Sequence, residues 1–287
     1  MFSKLQQKWQ AIKLITRMDK PIGTYLLLWP TYWALWIASD GWPTMHLLVV
    51  FSLGVFIMRS AGCVINDFAD RNIDGDVERT KNRPLVSGMM STTEAINLFG
   101  LLIGMALGLV LTLSWPTIYL SAIALLLAAS YPFMKRYTQL PQVVLGAAFS
   151  WGMIMAFSEA QGEIPTIAWL LFIANLSWTV AYDTIYAMVD REDDLKIGVK
   201  STAILFANND KRIVGFLQLI TLALLWTVGD ILAFGWPFQL SLVIAAALFS
   251  YQQILIINRE REACFEAFLH NHWIGMVIFC GIFVEYF

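Results

Sequence analysis

Charge is scarce in this chain. Only 14% of its 287 residues are Asp, Glu, Lys or Arg, while 58% are hydrophobic. An ordinary soluble domain has about 25% charged and about 45–50% apolar residues. The balance excludes a disordered chain and a coiled coil, and it argues against a water-soluble enzyme. Cysteine is scarce too. Cys63, Cys264 and Cys280 are odd in number and irregularly spaced, which excludes a disulfide scaffold and predicts free, buried thiols. Histidine is rarer than tryptophan: His270 and His272 lie two apart and do not share a helical face, so no histidine metal site is expected. Residues 1–20 lack the central apolar stretch of a cleavable signal. The net charge of −2 gives no attraction to nucleic acid.

What the chain has in abundance is apolar runs. Nine of them approach the ~20 residues that cross a bilayer: 21–38, 45–65, 95–113, 117–134, 141–158, 165–189, 213–234, 237–257 and 267–287. They are continuously apolar rather than alternating, which excludes a membrane barrel. The expected fold is an all-α membrane bundle of nine transmembrane helices, two four-helix pseudo-repeats and a final helix, in one domain over 1–287. Residues 1–20 read as an interfacial helix, with Leu5, Trp9, Ile12 and Ile15 on one face and Lys8, Lys13 and Arg17 off it.

All 19 Lys and Arg fall before the first run or at and after the even-numbered ones. The loops after odd runs have none. Positive residues mark the cytoplasmic side, so the N-terminus is expected in the cytoplasm and the C-terminus outside it. Met153, Met155 and Met188 read as packing, and Gly100, Gly104 and Gly108 as sites of close helix contact.

Carboxylates cluster in two cytoplasmic segments, 59–92 and 182–212. The first contains Asn66, Asp67, Asp70 and Asp74; the second contains Asp183, Asp190, Glu192, Asp193 and Asp194. Acids at the end of an apolar run are costly and point to function. Asn66, Asp70 and Asp74 are four apart, as are Tyr186, Asp190 and Asp194, so each set should share one helical face. Two like-charged stripes need a cation between them. Oxygen ligands without His or Cys suit Mg²⁺, which commonly also contacts substrate phosphates. The expected metal set is Asn66, Asp70, Asp74, Asp190 and Asp194. Arg79, Lys81, Arg83, Lys135, Arg136, Lys196 and Lys200 follow the acids or flank them, and guanidinium forks suit phosphate oxygens. Arg59 lies two turns before Asn66 on the same face, about 10 Å deeper. It is either half of a structural ion pair or the receptor for a substrate anion.

These motifs resemble the UbiA-type intramembrane aromatic prenyltransferases. N-D-x-x-D-x-x-x-D is met at Asn66, Asp67, Asp70 and Asp74, and D-x-x-Y-A-x-x-D-x-x-D-D at Asp183, Tyr186, Ala187, Asp190, Asp193 and Asp194. Y-P-x-x-K is met at Tyr131, Pro132 and Lys135. Within the family, Arg59 through Asp67 and Lys196 through Thr202 are in the style of the bacterial subgroup that prenylates 4-hydroxybenzoate for ubiquinone biosynthesis. The resemblance implies an inner-membrane enzyme that uses Mg²⁺ to move the prenyl group of a polyprenyl diphosphate to the carbon ortho to the phenol. Arg79, Arg83, Tyr131 and Lys135 would bind the diphosphate, and Arg59 the acceptor's carboxylate. Asp190, Asp183 and Asp67 are the candidate catalytic carboxylates, with Asp190 either orienting or deprotonating the phenol or ligating metal. Relatives using another aromatic acceptor remain an alternative. A transporter or channel would place its charges nearer the bilayer midplane.

Overall fold

The computed structural model describes residues 2–287, with side chains from residue 6 onward. Lys4 and the Leu5 expected on the interfacial face have side chains outside the described residues. Every long element is helical. The order is α1 (Phe2–Ile15), α2 (Ile22–Ala38), α3 (Met45–Asp70), α4 (Thr92–Val110), α5 (Trp115–Tyr137), α6 (Pro141–Gln161), α7 (Thr166–Ile197), α8 (Thr202–Phe206), α9 (Asp210–Ile231), α10 (Trp236–Leu255), α11 (Arg261–Leu269) and α12 (Asn271–Glu285). Seven stretches are long and apolar enough to cross a membrane, built from α3, α4, α5, α6, α8–α9, α10 and α11–α12. The two other expected spans form helices outside that set. α2 has only 17 residues, and α7 carries Asn175, Thr179 and Asp183 through its length.

The outer surface suits lipid. Leu101, Leu126, Phe216, Leu219, Val243 and Ile254 are all exposed. Trp42, Trp115, Trp169 and Trp236 are exposed beside the loops that carry no Lys or Arg, as expected of an interfacial aromatic belt. Inside, α2 packs on α3, α6 and α12, α7 packs on α6 and α9, and α10 packs on α9 and α12. This closes the helices into a ring. Trp33 of α2 stacks on Trp178 of α7, centroids 5.4 Å apart. Their ring nitrogens are satisfied: Trp33 Nε1 donates to the Gly275 carbonyl at 2.9 Å and Trp178 Nε1 to Asn271 Oδ1 at 2.9 Å. A Cβ on Gly275 would stand 2.9 Å from both Trp178 and Trp29, so only glycine lets α12 approach this closely.

The second helix of each four-helix block is its longest. α3 has 26 residues and α7 has 32, and each runs into an acidic segment. Four expectations need correction. The last run is two helices that break at His270, which turns Phe265 and Phe268 of α11 onto Tyr186 of α7. On α1, Ala11 and Ile15 face inward against Val64, Met90 and Ala95, with Ile12 packed beside them, while Trp9 is exposed. At Gly100, Gly104 and Gly108 a Cβ would meet nothing within 4 Å, so these glycines make no close helix contact. Cys280 is exposed, whereas Cys63 and Cys264 are buried. Met153, Met155 and Met188 are buried as expected.

Candidate active site

α3 and α7 deliver Asp67 and Asp183 to one large cavity. Its volume is about 1100 Å³. Asn66, Asp67, Arg79, Arg83, Lys135 and Asp183 line its polar end, and Arg59 and Tyr131 line it as well. Leu107, Val110 and Leu113 of the α4 end, with Ala124 and Phe149, line its apolar reach.

The two acidic segments differ in local structure. On α7, Asp183, Tyr186, Asp190 and Asp194 lie on one continuous helix, which Gly198 ends in the left-handed region at φ 73°. α3 stops at Asp70. Asp74 therefore does not continue its face; it opens a short 3₁₀ turn, Asp74–Asp76. Contacts from the next loop hold it there. Thr80 Oγ1 donates to the Asp74 carbonyl at 2.8 Å, and Arg83 Nη1 pairs with Asp74 Oδ2 at 2.7 Å. Burial pushes the Asp74 carboxyl up from its ordinary range, against the opposing pull of Arg83.

The cations between the acidic stripes are the chain's own. Arg83 Nη1 also reaches Asp67 Oδ1 at 3.1 Å. Lys135 Nζ meets Asp70 Oδ2 at 3.1 Å. Arg79 Nε donates to both oxygens of Asp190, at 3.1 and 3.0 Å, and its guanidinium lies 4.7 Å from the Tyr186 ring centroid, within cation–π range. A loop following the first motif thus grips the second.

These pairings revise the expected roles. The expected metal set is not gathered into a ready cluster: among the described residues no three His, Cys, Asp or Glu side chains form one. Asp70, Asp74, Asp190 and Asp194 do not line the cavity, and Asn66 does. Asp190 has both oxygens on Arg79, and Asp67, 1% exposed, is held by two guanidinium groups. Asp183 faces the cavity and joins none of the site's ion pairs. Among the buried acceptors without a hydrogen-bond partner, two belong to the first motif, Asn66 Oδ1 and Asp70 Oδ1. Orphaned oxygens on an all-oxygen donor set fit a hard divalent cation.

Arg17 was missed as a site residue. Its Nη2 donates to Asp67 Oδ1 at 2.9 Å and Oδ2 at 3.1 Å, from a left-handed backbone position at φ 58°. It reads in sequence as an interfacial cation. Its one distinguishing mark is that it sits at the end of α1, where the chain turns towards α2. Glu192 and Asp193 pair with Arg261 instead of facing the cavity.

With this geometry in place, comparison with known proteins is decisive on the family. Residues 27–275 match the UbiA prenyltransferase family. The chain belongs to that family. Over 286 residues it is 81% identical to the 4-hydroxybenzoate octaprenyltransferase of Colwellia psychrerythraea, covering 100% of both chains. The fold is shared with a UbiA homologue from Aeropyrum pernix at TM-score 0.80 and 24% identity, over 91% of this chain and 97% of that one. It is shared too with a UbiA homologue from Archaeoglobus fulgidus bound to GPP and Mg²⁺, at TM-score 0.71 and 16% identity, over 96% and 99%. A UbiA-family member with this lipid-facing surface is an integral membrane protein.

Proposed function

We propose that the protein is a 4-hydroxybenzoate polyprenyltransferase of ubiquinone biosynthesis, moving a polyprenyl group from its diphosphate to the acceptor ring. The observation that carries the reading is one cavity with two ends. Arginine, lysine and carboxylate line its polar rim, and aliphatic residues line its reach into the bundle. A long isoprenoid diphosphate has the same two-ended chemistry. The relative 81% identical to this chain bears that enzyme name.

Asn66 and Asp70, with Asp74, Asp190 and Asp194, would hold Mg²⁺, which supplies charge neutralisation at the diphosphate. The Archaeoglobus homologue bound to GPP and Mg²⁺ supports a divalent cofactor. Arg79, Arg83, Lys135 and Tyr131 bind the diphosphate and stabilise its charge as the allylic C–O bond breaks and the electron pair leaves on oxygen. The walls of the cavity exclude water from the cation. The ring carbon ortho to the phenol attacks it and forms the C–C bond. The displaced ring proton goes to a base, and Asp183 is the carboxylate positioned to accept it. Arg59 receives the acceptor's carboxylate.

The chain forms a single domain of nine spans in the inner membrane, with α2 and α7 as the two that are short or polar. Both acidic segments lie in the cytoplasm and the C-terminus in the periplasm. Purified protein given a polyprenyl diphosphate, 4-hydroxybenzoate and Mg²⁺ should release diphosphate and yield the 3-prenylated acid by mass. Chelation should stop turnover and added Mg²⁺ restore it. Full turnover in excess chelator, or prenylation only of acids other than 4-hydroxybenzoate, would refute the reading.

A further inference from the structure

Gly23 lies in the first turn of α2, against the guanidinium of Arg59 on α3. A Cβ on Gly23 would overlap Arg59 Nε and Nη2 and stand 2.5 Å from Cζ. The backbone does not ask for glycine here. Gly23 is helical, and it is not among the glycines in the left-handed region, which are Gly41, Gly88, Gly162 and Gly198. Glycine is a poor helix former beside alanine, so its presence is explained by the space it leaves.

The surroundings of Arg59 show what that space serves. Arg59 lines the cavity but joins none of the site's ion pairs. Tyr182 is among the residues that line the same cavity. The unpaired guanidinium fork of Arg59 opens onto that chamber. A guanidinium fork facing a chamber of this kind matches a carboxylate.

We propose that Gly23 is a specificity-determining residue for the acceptor: its missing side chain lets the α2 backbone serve as the wall that holds the Arg59 fork in position for an aromatic carboxylate. The proposal rests on the reading of Arg59 as the acceptor's receptor. Gly23 touches no substrate and acts through Arg59, so it is a positioning residue. The atoms it would strike are the far end of a long, flexible side chain. An alanine there displaces the guanidinium and leaves α2 in place.

The test varies the acceptor on purified protein at saturating polyprenyl diphosphate and Mg²⁺, using 4-hydroxybenzoate and its neutral counterpart 4-hydroxybenzamide. Gly23→Ala should raise the KM for the acid, by up to about a hundredfold, as a misplacement of about 1 Å can. It should leave the donor KM and the use of the amide unchanged. Its thermal stability should equal or exceed that of the parent, because alanine favours the helix. Gly23→Ala combined with Arg59→Ala should be no worse than Arg59→Ala alone, since the first acts only through the second. An unchanged acid KM in Gly23→Ala, beside a raised one in Arg59→Ala, would overturn the role of Gly23 and leave Arg59 as receptor. Additive effects, or loss of folded protein in Gly23→Ala, would overturn it equally, by placing the clash in α2. If Arg59→Ala alters only the donor KM, the receptor reading falls and this proposal falls with it.

Discussion

Asp67 shows how far a side chain's neighbours decide its role. Its position in the first motif marks it as an active-site acid, yet Arg17 and Arg83 occupy both its oxygens. Arg17 comes from the turn after α1, 50 positions earlier in the chain. Replacing Arg17 with alanine should destabilise the protein by about 1–3 kcal/mol, the cost of leaving a buried acceptor short of partners, moderated because Arg83 remains. Thermal unfolding in detergent reads this, and Arg17→Lys should recover only part of it, because an ammonium lacks the fork. Asp183 is the opposite case, a carboxylate facing the chamber outside the ion-pair network. Asp183→Asn should lower kcat by about a hundredfold or more while both KM values hold, the usual span for a lost general base. The same substitution at Asp190 should disturb the Arg79 contact and so donor binding. The acids, the basic cluster and Arg59 were legible in the sequence because charge inside an apolar chain is conspicuous. Arg17 and Gly23 were not: one depends on where a left-handed turn sends a side chain, the other on a contact between two helices.

Among elements, α3 and α7 carry the site by outlasting the apolar stretch. Spacing of four located the stripes in both, and α7 keeps its stripe on one helix. α3 does not, because Asp74 belongs to a turn held by Thr80 and Arg83. Nothing in the periodicity around Asp70 signals that stop; the contacts responsible lie further along the chain. α4 begins where that loop ends, with a reciprocal cap: Glu94 N donates to Ser91 Oγ at 3.2 Å and Ser91 N to Glu94 Oε2 at 3.0 Å. Ser91→Ala should cost about 1 kcal/mol, with activity retained at temperatures well below unfolding. A fall in kcat larger than the loss of folded protein would instead mean that α4 transmits strain to the loop bearing Arg79 and Arg83.

At the scale of the whole molecule, the one-sided placement of Lys and Arg is the strongest topological signal. Accessible cysteines placed within 71–91 and 199–209 should label from the cytoplasm, and a reporter at 287 should read as periplasmic. A cytoplasmic reporter signal at 287 would remove the nine-span count. The helical class was readable from composition and length. The break at His270 was not, because α11 and α12 together are as apolar as a single span, and only the packing of α11 on α7 separates them.

The ring has an order of assembly. Trp33 and Gly275, whose hydrogen bond joins α2 to α12, lie 242 positions apart. A ribosome that feeds this chain into the bilayer inserts α2 early and α12 last. Through most of synthesis the face of α2 that will receive α12 borders lipid. Both acidic segments are already made by then, but the wall that His272 and its neighbours give the chamber does not yet exist. The chamber's lining is complete only when the last helix arrives and adds His272 to it.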